Sequence, residues 1–244
     1  GESTSDTFTL AATDSSTQLI TITINGEDDA PVLNAPTAGS ITEDSNASTT
    51  TTSNLSGTLS ATDADGDSIS YGITSGSVAS GISTLAGSYG TLSVTTSTGA
   101  YSYSANSSAV EALDNGDSGA DSFSVTASDG IETTTESYTV NLNGADDSSV
   151  ITADSTGSLT EDSGTTTTTG SISIADVDAG DSPSFADVSS TDSDNGYGSY
   201  SLSSGTWSYS LTNPPALGHG ESTSDTFTLA ATDSSTQLIT ITIN

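Results

Sequence analysis

Aspartates recur along this chain in pairs separated by one residue, at Asp63 and Asp65 and again at Asp176 and Asp178. Two aspartates at positions i and i+2 of an extended segment point their side chains in the same direction. Carboxylates held close together repel one another, and a divalent cation converts that repulsion into attraction. Ca²⁺ takes about six to eight oxygen ligands in proteins, several of them carboxylates. Calcium binding is therefore the chemistry that these residues suit best.

Two short acidic segments would bring further carboxylates. Residues 26–31 read GEDDAP and residues 144–149 read GADDSS, and each follows an apolar strand pattern that ends in asparagine. Neither segment holds a large apolar side chain that would anchor it in a core. We therefore interpret residues 26–31 and 144–148 as acidic linkers between domains.

The overall charge excludes several kinds of partner. The 244 residues include no Lys or Arg and 32 Asp plus Glu, for a formal charge of −32. A chain without cationic side chains does not neutralise phosphates, so we expect no nucleic-acid binding and no attraction to anionic membrane surfaces. No apolar run of about 18 residues is present, so we expect no membrane insertion within this segment. The absence of Cys and the single His favour Ca²⁺ over zinc or copper.

The same residues argue against catalysis and against an EF-hand. His219 is the only histidine, and one His without Cys or a compatible nucleophile gives neither a nucleophilic triad nor a zinc site. Carboxylate pairs of the kind that glycosidases use are present, but they lie at turns and linkers and recur from unit to unit. We therefore expect no enzyme. An EF-hand loop beginning at Asp63 would need Glu at its twelfth position, where Thr74 stands.

The elements that must position the aspartates are strands. Apolar residues alternate with Ser or Thr at period two, which is typical of half-buried strands. The clearest sets are Phe8, Leu10 and Ala12; Ile20, Ile22 and Ile24; Phe123, Val125 and Ala127; Tyr138, Val140 and Leu142; Trp207, Tyr209 and Leu211. No helical stripe is visible. The pattern predicts an all-β chain with turns at Ser97–Gly99 and Asp129–Gly130, and threonine runs at 49–52 and 165–169 in exposed loops or edge strands.

A long repeat sets the domain organisation. Residues 1–25 recur letter for letter as residues 220–244, which indicates a window of a longer tandem array. We predict that residues 1–25 are the last two strands of a preceding β-sandwich. Two complete units follow, at residues 32–143 and 149–244, each of a size and strand number that suit a Greek-key sandwich of two antiparallel sheets.

The order of motifs resembles that of cadherin domains. The first unit carries ATDADGD, then YGTLSV, GAYSYS, VEALDNG and ADSFSVTASDG. This order is similar to VCBS-type, cadherin-like repeats of large bacterial surface adhesins, which are commonly exported by type I secretion. The resemblance implies tandem Ig-like, cadherin-like Greek-key β-sandwich domains arranged as beads on a string. It also implies a secreted, extracellular protein at the cell surface.

The resemblance further implies Ca²⁺ at the domain junctions, with ligands carried over by motif position. The first junction would use linker residues and the following domain: Asp28, Asp29, Asp63, Asp65 and Asp129. The second would use Asp146, Asp147, Asp176, Asp178 and Asp233, together with Glu43 and Asp114 from the domain before it. The stretch at residues 216–221 lacks the aspartate that corresponds to Asp114, so the junctions are expected to differ.

These features predict a structural extender or filament segment, stiffened by Ca²⁺, that serves adhesion or biofilm cohesion. Its partners would be adjacent repeats of the same chain and lateral copies of the same filament. One alternative is an adhesive module that binds carbohydrate or cells through exposed aromatic residues such as Trp207 and Tyr101. Another is a matrix fibre that assembles laterally. Alternation of the aromatic residues within strands favours core packing over a sugar-binding platform.

Overall fold

The computed structural model describes residues 1–45 and 55–244, and the predicted all-β fold is confirmed. The threonine run at 49–52 lies outside these described residues. The first strands are β1 (Ser3–Ala11), β2 (Thr17–Asn25), β3 (Val32–Leu33), β4 (Gly39–Thr42), β5 (Leu55–Thr58), β6 (Ala61–Thr62), β7 (Ser70–Ile73), β8 (Ser77–Ala79), β9 (Ile82–Ala86), β10 (Gly90–Thr95) and β11 (Ala100–Ala105).

A single helical turn, α1 (Ser107–Val110), precedes the remaining strands. These are β12 (Ser118–Ser128), β13 (Thr133–Asn143), β14 (Val150–Ala153), β15 (Thr156–Leu159), β16 (Thr167–Ala175), β17 (Val188–Asp192), β18 (Gly198–Ser203), β19 (Thr206–Leu211), β20 (Thr223–Ala230) and β21 (Thr236–Ile243). The predicted turns lie between β10 and β11 and between β12 and β13. Gly99 and Gly130 occupy them with φ of 71° and 99°, a backbone conformation that glycine adopts without strain.

The chain divides into two compact units. The described part of the first comprises residues 1–41, 55–107 and 119–142, and that of the second comprises residues 42–45, 108–118 and 143–244. The first unit contains the hairpin β1–β2, the short pair β3–β6, a sheet in the order β5-β11-β10-β9-β8 and a sheet in the order β4-β13-β12-β7. Strands distant in sequence lie side by side in both larger sheets, as expected for a Greek-key sandwich.

Alternating residues of the two larger sheets form the core of the first unit. Phe123, Val125 and Ala127 of β12 are almost fully buried, as are Tyr138, Val140 and Leu142 of β13. The rings of Tyr103 and Phe123 meet edge to face, with centroids 6.1 Å apart, so side chains of the two sheets interlock. Each large apolar side chain buried in this way contributes about 1.5–3 kcal/mol to the free energy of folding.

The second unit has its own core around the only tryptophan. Its sheets run β14-β16-β19-β18-β17 and β15-β21-β20, and β15 pairs with β21 in parallel. Trp207 is fully buried and packs edge to face on Phe227 at 5.8 Å between ring centroids. Tyr103 and Tyr209 are buried too. These aromatic side chains belong to the cores, as the alternation within strands predicts.

The aspartate pairs lie in loops that leave strand ends. Asp63–Asp67 follow β6, and Asp176–Asp181 follow β16. His219 is exposed in a turn. No helix among residues 1–45 and 55–244 is long and apolar enough to cross a membrane. Four of the five threonines at 165–169 are exposed, and the last three belong to β16.

Candidate metal centre

The second unit contains three buried carboxylates that face one another. Glu43, Glu111 and Asp147 each place an oxygen within 4.8 Å of the oxygens of the other two. Their side chains are only 5%, 9% and 4% exposed. Burial of a carboxylate is costly unless a positive charge or several hydrogen bonds compensate for the lost water. The chain has no Lys or Arg. A protonated histidine is therefore the only side-chain cation that the chain itself could provide.

A second carboxylate group adjoins the first through Asp178. This residue is 2% exposed, and it belongs to two sets whose oxygens also lie within 4.8 Å: Asp114, Asp146 and Asp178, and Asp176, Asp178 and Asp181. The backbone N–H of Asp147 donates to Oδ2 of Asp178 at 2.8 Å. We call all these residues, with Glu43 and Glu111, the acidic centre. It gathers eight carboxylates within one unit: Glu43, Glu111, Asp114, Asp146, Asp147, Asp176, Asp178 and Asp181.

Backbone hydrogen bonds bring the segments of the acidic centre together. Glu43 follows β4, and its backbone N–H donates to the Asn143 carbonyl at 3.0 Å. Its Oε2 accepts from the N–H of Ala145 at 3.0 Å. Gly144 donates its N–H to the Asp117 carbonyl at 3.0 Å. A Cβ at position 144 would clash with the carbonyl oxygens of Leu113 and Asp114, so this close approach of the linker requires glycine.

Several oxygens of the acidic centre are buried without a hydrogen-bond partner among the described residues. They are Oε1 of Glu43, both Oδ1 and Oδ2 of Asp147, and Oδ1 of Asp178. Buried polar atoms are almost always paired in native proteins, so such atoms indicate a missing partner. The donor set consists of oxygens alone, several from carboxylates, which is the set that Ca²⁺ prefers. The residues present therefore fit a calcium ion.

The electrostatics of the acidic centre agree with this reading. Burial, opposed by the hydrogen bond from the Ala145 N–H and assisted by the charges of Glu111, Asp147 and Asp178, raises the pKa of Glu43 to about 7. Burial, then the neighbouring Asp178 and Glu111, also raise the pKa of Asp147. Without a cation the centre therefore resists full ionisation at neutral pH, and a divalent ion would favour the charged form.

The first unit repeats the local arrangement in a more open setting. Asp28, Asp65 and Asp67 place oxygens within 4.8 Å of one another. The N–H of Asp29 donates to Oδ2 of Asp65 at 2.8 Å, the same contact that Asp147 makes with Asp178. Oδ1 of Asp63 accepts from the N–H groups of Asp65 and Asp67 at 2.9 and 3.2 Å. These bonds fix the loop and leave the outer carboxylates side by side.

The structure brings most of the predicted ligands into groups and leaves others outside them. Those in groups are Asp28, Asp65, Glu43, Asp114, Asp146, Asp147, Asp176 and Asp178. Those outside the groups are Asp29, Asp63, Asp129 and Asp233. Oδ2 of Asp63 and Oδ2 of Asp129 are nevertheless buried without a partner among the described residues. Metal ligation by any of the twelve stays a prediction.

Hydrogen bonds to protein donors explain why Asp129 and Asp233 lie outside the carboxylate groups. Asp129 accepts from the N–H groups of Ile131 and Glu132, each at 2.7 Å, and these bonds hold its pKa below the usual value. Asp233 accepts from the Ser149 hydroxyl and from the Ser235 N–H, which lower its pKa in the same way. Asp233 is therefore already solvated by protein donors and provides a matched control for residues of the acidic centre.

Sequence reasoning missed Glu111, Asp67 and Asp181. Asp67 and Asp181 are the third aspartates of the two loops, and continuing each Asp-x-Asp motif by two or three residues would have found them. Glu111 directly follows the single turn of α1, and no spacing in the sequence singles it out as a ligand.

Without Ca²⁺, we expect the second unit to become less stable as pH rises from about 4.5 to about 7. The folded-state pKa of Glu43 is about 7 against a usual 4.5, so the folded state binds more protons across this interval. The contribution of Glu43 to the free energy of unfolding is fully present below pH 4.5. It is lost as pH rises through 7, and the loss is up to about 3 kcal/mol. Asp225 and Asp129 have lowered pKa values. Their contributions to stability are therefore lost as pH falls, in a more acidic range than the one measured for Glu43.

Urea unfolding in EDTA at several pH values, followed by Trp207 fluorescence, measures this effect. Trp207 is the only tryptophan and reports on the second unit. Repeating the series in Ca²⁺ should flatten the dependence, because a bound cation keeps the carboxylates ionised. Stability that increases from pH 4.5 to 7 in EDTA would contradict the pKa assignment.

Greek-key sandwiches whose acidic linkers meet Asp-x-Asp loops define the cadherin-like class of domains. Residues 28–144 match the family model of the bacterial cadherin-like domain. This match covers just under half of the chain, and this part of the chain is similar to the bacterial cadherin-like domain family. The match includes Asp28 and Asp29 of the first linker, all three aspartates of the first loop, and the separate segments that hold Glu43 and Glu111.

Several solved structures match the chain at low identity. An endo-fucoidan hydrolase of glycoside hydrolase family 107 is 16% identical over 100% of this chain and 34% of its own, with a TM-score of 0.32. Cadherin domains 3–6 of protocadherin gamma B2 are 16% identical over 93% of this chain and 55% of theirs, at 0.34. Human protocadherin-24 domains 1–2 are 16% identical over 89% and 99%, also at 0.34. This chain thus spans about a third to a half of the first solved chains it matches. No curated protein matches it.

Proposed function

We propose that this chain is an extender segment of a secreted bacterial cell-surface protein, stiffened by Ca²⁺ at its acidic linkers. A cadherin-like domain is typical of extracellular proteins with an adhesive or structural role. The observation that carries the calcium part is Asp147, whose two carboxylate oxygens are both buried and both lack a hydrogen-bond partner among the described residues. An ion supplies the partner that these oxygens require.

The carboxylates of the acidic centre would provide the ligands of the ion in three groups. Glu43, Glu111 and Asp147 provide one set of oxygens, and Asp178 joins the two other sets. A bound Ca²⁺ supplies positive charge to all of them. The protein's own part is to fix the linker: Ala145 and Asp147 donate their N–H groups to Glu43 and Asp178. With the carboxylates neutralised, the segment at residues 143–147 is held from both sides and resists bending.

The surroundings of the carboxylates support a structural role over catalysis. Glu43, Glu111, Asp147 and Asp178 are between 2% and 9% exposed, which leaves little room for a substrate to reach them. Of the aromatic side chains that would form a sugar platform, Trp207, Tyr209 and Tyr103 are buried and Tyr101 is partly buried. We therefore propose a protein that is not an enzyme and whose partners are adjacent repeats of the same chain, without nucleic acid or membrane insertion within this segment.

Replacement of Asp178 by Asn should raise the Ca²⁺ concentration needed for half-maximal stabilisation by about ten- to a hundredfold. Asn keeps the volume and an oxygen for the Asp147 N–H but removes a buried charge. In EDTA the Asp178→Asn variant should therefore melt at the same temperature as the wild type or higher. In Ca²⁺ it should melt lower. Thermal melts in EDTA and at increasing Ca²⁺ concentrations measure the difference in melting temperature between variant and wild type under both conditions.

The matched control is Asp233→Asn, because Asp233 accepts from Ser149 and Ser235 and stands outside the carboxylate groups. Its Ca²⁺ midpoint should change by less than about threefold, a difference within the usual range for surface positions. Equal Ca²⁺ midpoints for Asp178→Asn and wild type would show that Ca²⁺ does not bind at the acidic centre.

The extender role itself is tested by small-angle X-ray scattering of the full chain with Ca²⁺ and with EDTA. If Ca²⁺ stiffens the linkers, the ion should narrow the distribution of molecular dimensions, and Asp178→Asn should require more Ca²⁺ for the same change. Identical scattering under both conditions would leave calcium binding possible and would refute stiffening.

A further inference from the structure

Four asparagines of this chain are followed directly by glycine. The pairs are Asn25–Gly26, Asn115–Gly116, Asn143–Gly144 and Asn195–Gly196. This sequence is the one most open to attack on its own side chain. Because glycine has no side chain and rotates freely, its backbone nitrogen can reach the side-chain carbonyl carbon of the asparagine before it. The surroundings of each pair decide which of the four is free to react.

At three of the pairs, a hydrogen bond holds the glycine nitrogen. The N–H groups of Gly26, Gly144 and Gly196 donate to backbone carbonyls at 2.8, 3.0 and 3.1 Å. At Asn195 the side-chain amide is held as well, since its Nδ2 donates to the Ser224 carbonyl at 3.0 Å. A nitrogen held in this way must give up its hydrogen bond before it attacks, which slows the reaction by about fivefold.

The remaining pair, Asn115 and Gly116, has none of these restraints. Both residues are exposed, in a turn that the Asp117 N–H closes on the Asp114 carbonyl at 2.9 Å. Among the described residues, the N–H of Gly116 donates no backbone hydrogen bond. A Cβ at position 116 would meet no heavy atom within 4 Å. The turn therefore leaves room for a ring to form and for water to reach it.

We propose that Asn115 is a site of spontaneous deamidation in the folded protein. The Gly116 nitrogen gives up its proton and bonds to Cγ of Asn115, and the side-chain nitrogen takes up a proton and leaves as ammonia. Water then opens the cyclic imide at either of its carbonyl carbons. One product is aspartate, with an ordinary backbone. The other is isoaspartate, whose backbone runs through the former side chain and is longer by a methylene carbon.

The place of this turn in the fold makes the isoaspartate product consequential. The Asp117 carbonyl accepts the N–H of Gly144 at 3.0 Å and so holds the linker. An extra carbon between residues 115 and 116 lengthens the chain from Asp114 to Asp117, and the turn no longer keeps both residues in place. We expect the isoaspartate form to lose the Gly144 hydrogen bond and to loosen the segment at residues 143–147. This effect does not rest on calcium binding.

A second effect rests on the proposed function. Asp114 belongs to the acidic centre, where its carboxylate lies within 4.8 Å of the oxygens of Asp146 and Asp178. Displacement of Asp114 should raise the Ca²⁺ concentration needed for half-maximal stabilisation by about tenfold. The linker would thus lose stiffness as the protein ages.

The test follows all four asparagines while the full chain is incubated in mildly alkaline buffer with EDTA. Water labelled with heavy oxygen marks each reacted position, because the new carboxylate takes an oxygen from water. Pepsin, which needs no Lys or Arg, gives peptides for mass spectrometry at an acid pH that suppresses further reaction. We expect Asn115 to react about fivefold faster or more than the three other asparagines. In urea that unfolds the chain, the four rates should converge.

Amide hydrogen exchange in EDTA then measures the effect on the linker. The aged form, separated by anion exchange through its extra negative charge, should lose protection of the Gly144 N–H. An isoaspartate-specific methyltransferase identifies the longer backbone. A fresh Asn115→Asp variant should keep this protection, because it adds the charge without the extra carbon. Asn115→Gln should stay unmodified on the same timescale, because the larger ring forms far more slowly.

Two results would overturn the inference. One is an Asn115 that reacts no faster in the folded protein than the three other asparagines. The other is full protection of the Gly144 N–H in the isoaspartate form. Failure of the proposed function would look different: the fresh protein would not respond to Ca²⁺, while mass spectrometry and hydrogen exchange in EDTA would still decide whether Asn115 is modified and what the modification does.

Discussion

Removal of Ca²⁺ is expected to lower the melting temperature of the second unit by about 10–20 °C. The tighter extracellular calcium modules have Kd values of about 0.1 mM, so about 10 mM Ca²⁺ is on the order of a hundred times the Kd of such a site. Binding to the folded state alone then stabilises it by about 2.7 kcal/mol. One kcal/mol shifts the melting temperature of a domain of this size by about 4–8 °C.

Buried charge makes the effect larger than for a surface ion. In EDTA the carboxylates of Glu43, Asp147 and Asp178 remain buried beside one another, so the apo protein also carries their repulsion. Differential scanning calorimetry of the full chain in 10 mM Ca²⁺ or in EDTA, at matched ionic strength and about pH 7.5, separates the specific ion from screening. Coincident transitions in the two buffers would contradict this expectation.

Asp225→Ala is expected to destabilise the second unit by about 3–5 kcal/mol, because it removes the acceptor from several buried donors. Asp225 accepts from the hydroxyls of Tyr209 and Ser193 and from the N–H of Asn195. These hydrogen bonds outweigh the cost of burial, and the pKa of Asp225 is lowered despite it. Tyr103 and Asp121 form the same contact in the first unit, at 2.7 Å.

The repeated sequence supplies the control. Asp6→Ala changes the same residue in the same local sequence, but Asp6 is exposed, so we expect a change within about 0.5 kcal/mol. Urea unfolding followed by Trp207 fluorescence gives the free energy of unfolding of the Asp225→Ala variant. Urea unfolding followed by far-UV circular dichroism gives that of the Asp6→Ala variant. A loss below about 1 kcal/mol for Asp225→Ala would show that the network contributes little.

Much of the fold could be predicted from alternation alone. Phe123, Val125 and Ala127 point to one face of β12, and all three are buried. The two hairpins mark the limit of this reasoning. Phe8 and Phe227 stand in identical sequences, and only the surrounding sheets decide that one is 45% exposed and the other fully buried. Local sequence determines the strand and its faces, while burial depends on what packs against it.

The candidate site was predictable to the extent that motifs carried it. Asp-x-Asp loops and linker aspartates pointed to Asp65, Asp147 and Asp178, which the structure places in carboxylate groups. Glu111 joins Glu43 and Asp147 through tertiary contacts between segments far apart in sequence, and no spacing rule encodes such contacts. Asp233 occupies the matching position of a motif, yet Ser149 and Ser235 satisfy its oxygens.

Calorimetric titration of Ca²⁺ into the ion-free chain near pH 7 tests the central claim most directly. We predict saturable binding with Kd of about 1 mM or tighter, and proton release as Glu43 ionises, seen as heats that differ between buffers of different ionisation enthalpy. Asp147→Asn should weaken binding, and Asp233→Asn should not. Absence of saturable heat up to about 10 mM Ca²⁺, well above the range of extracellular calcium modules, would contradict the account.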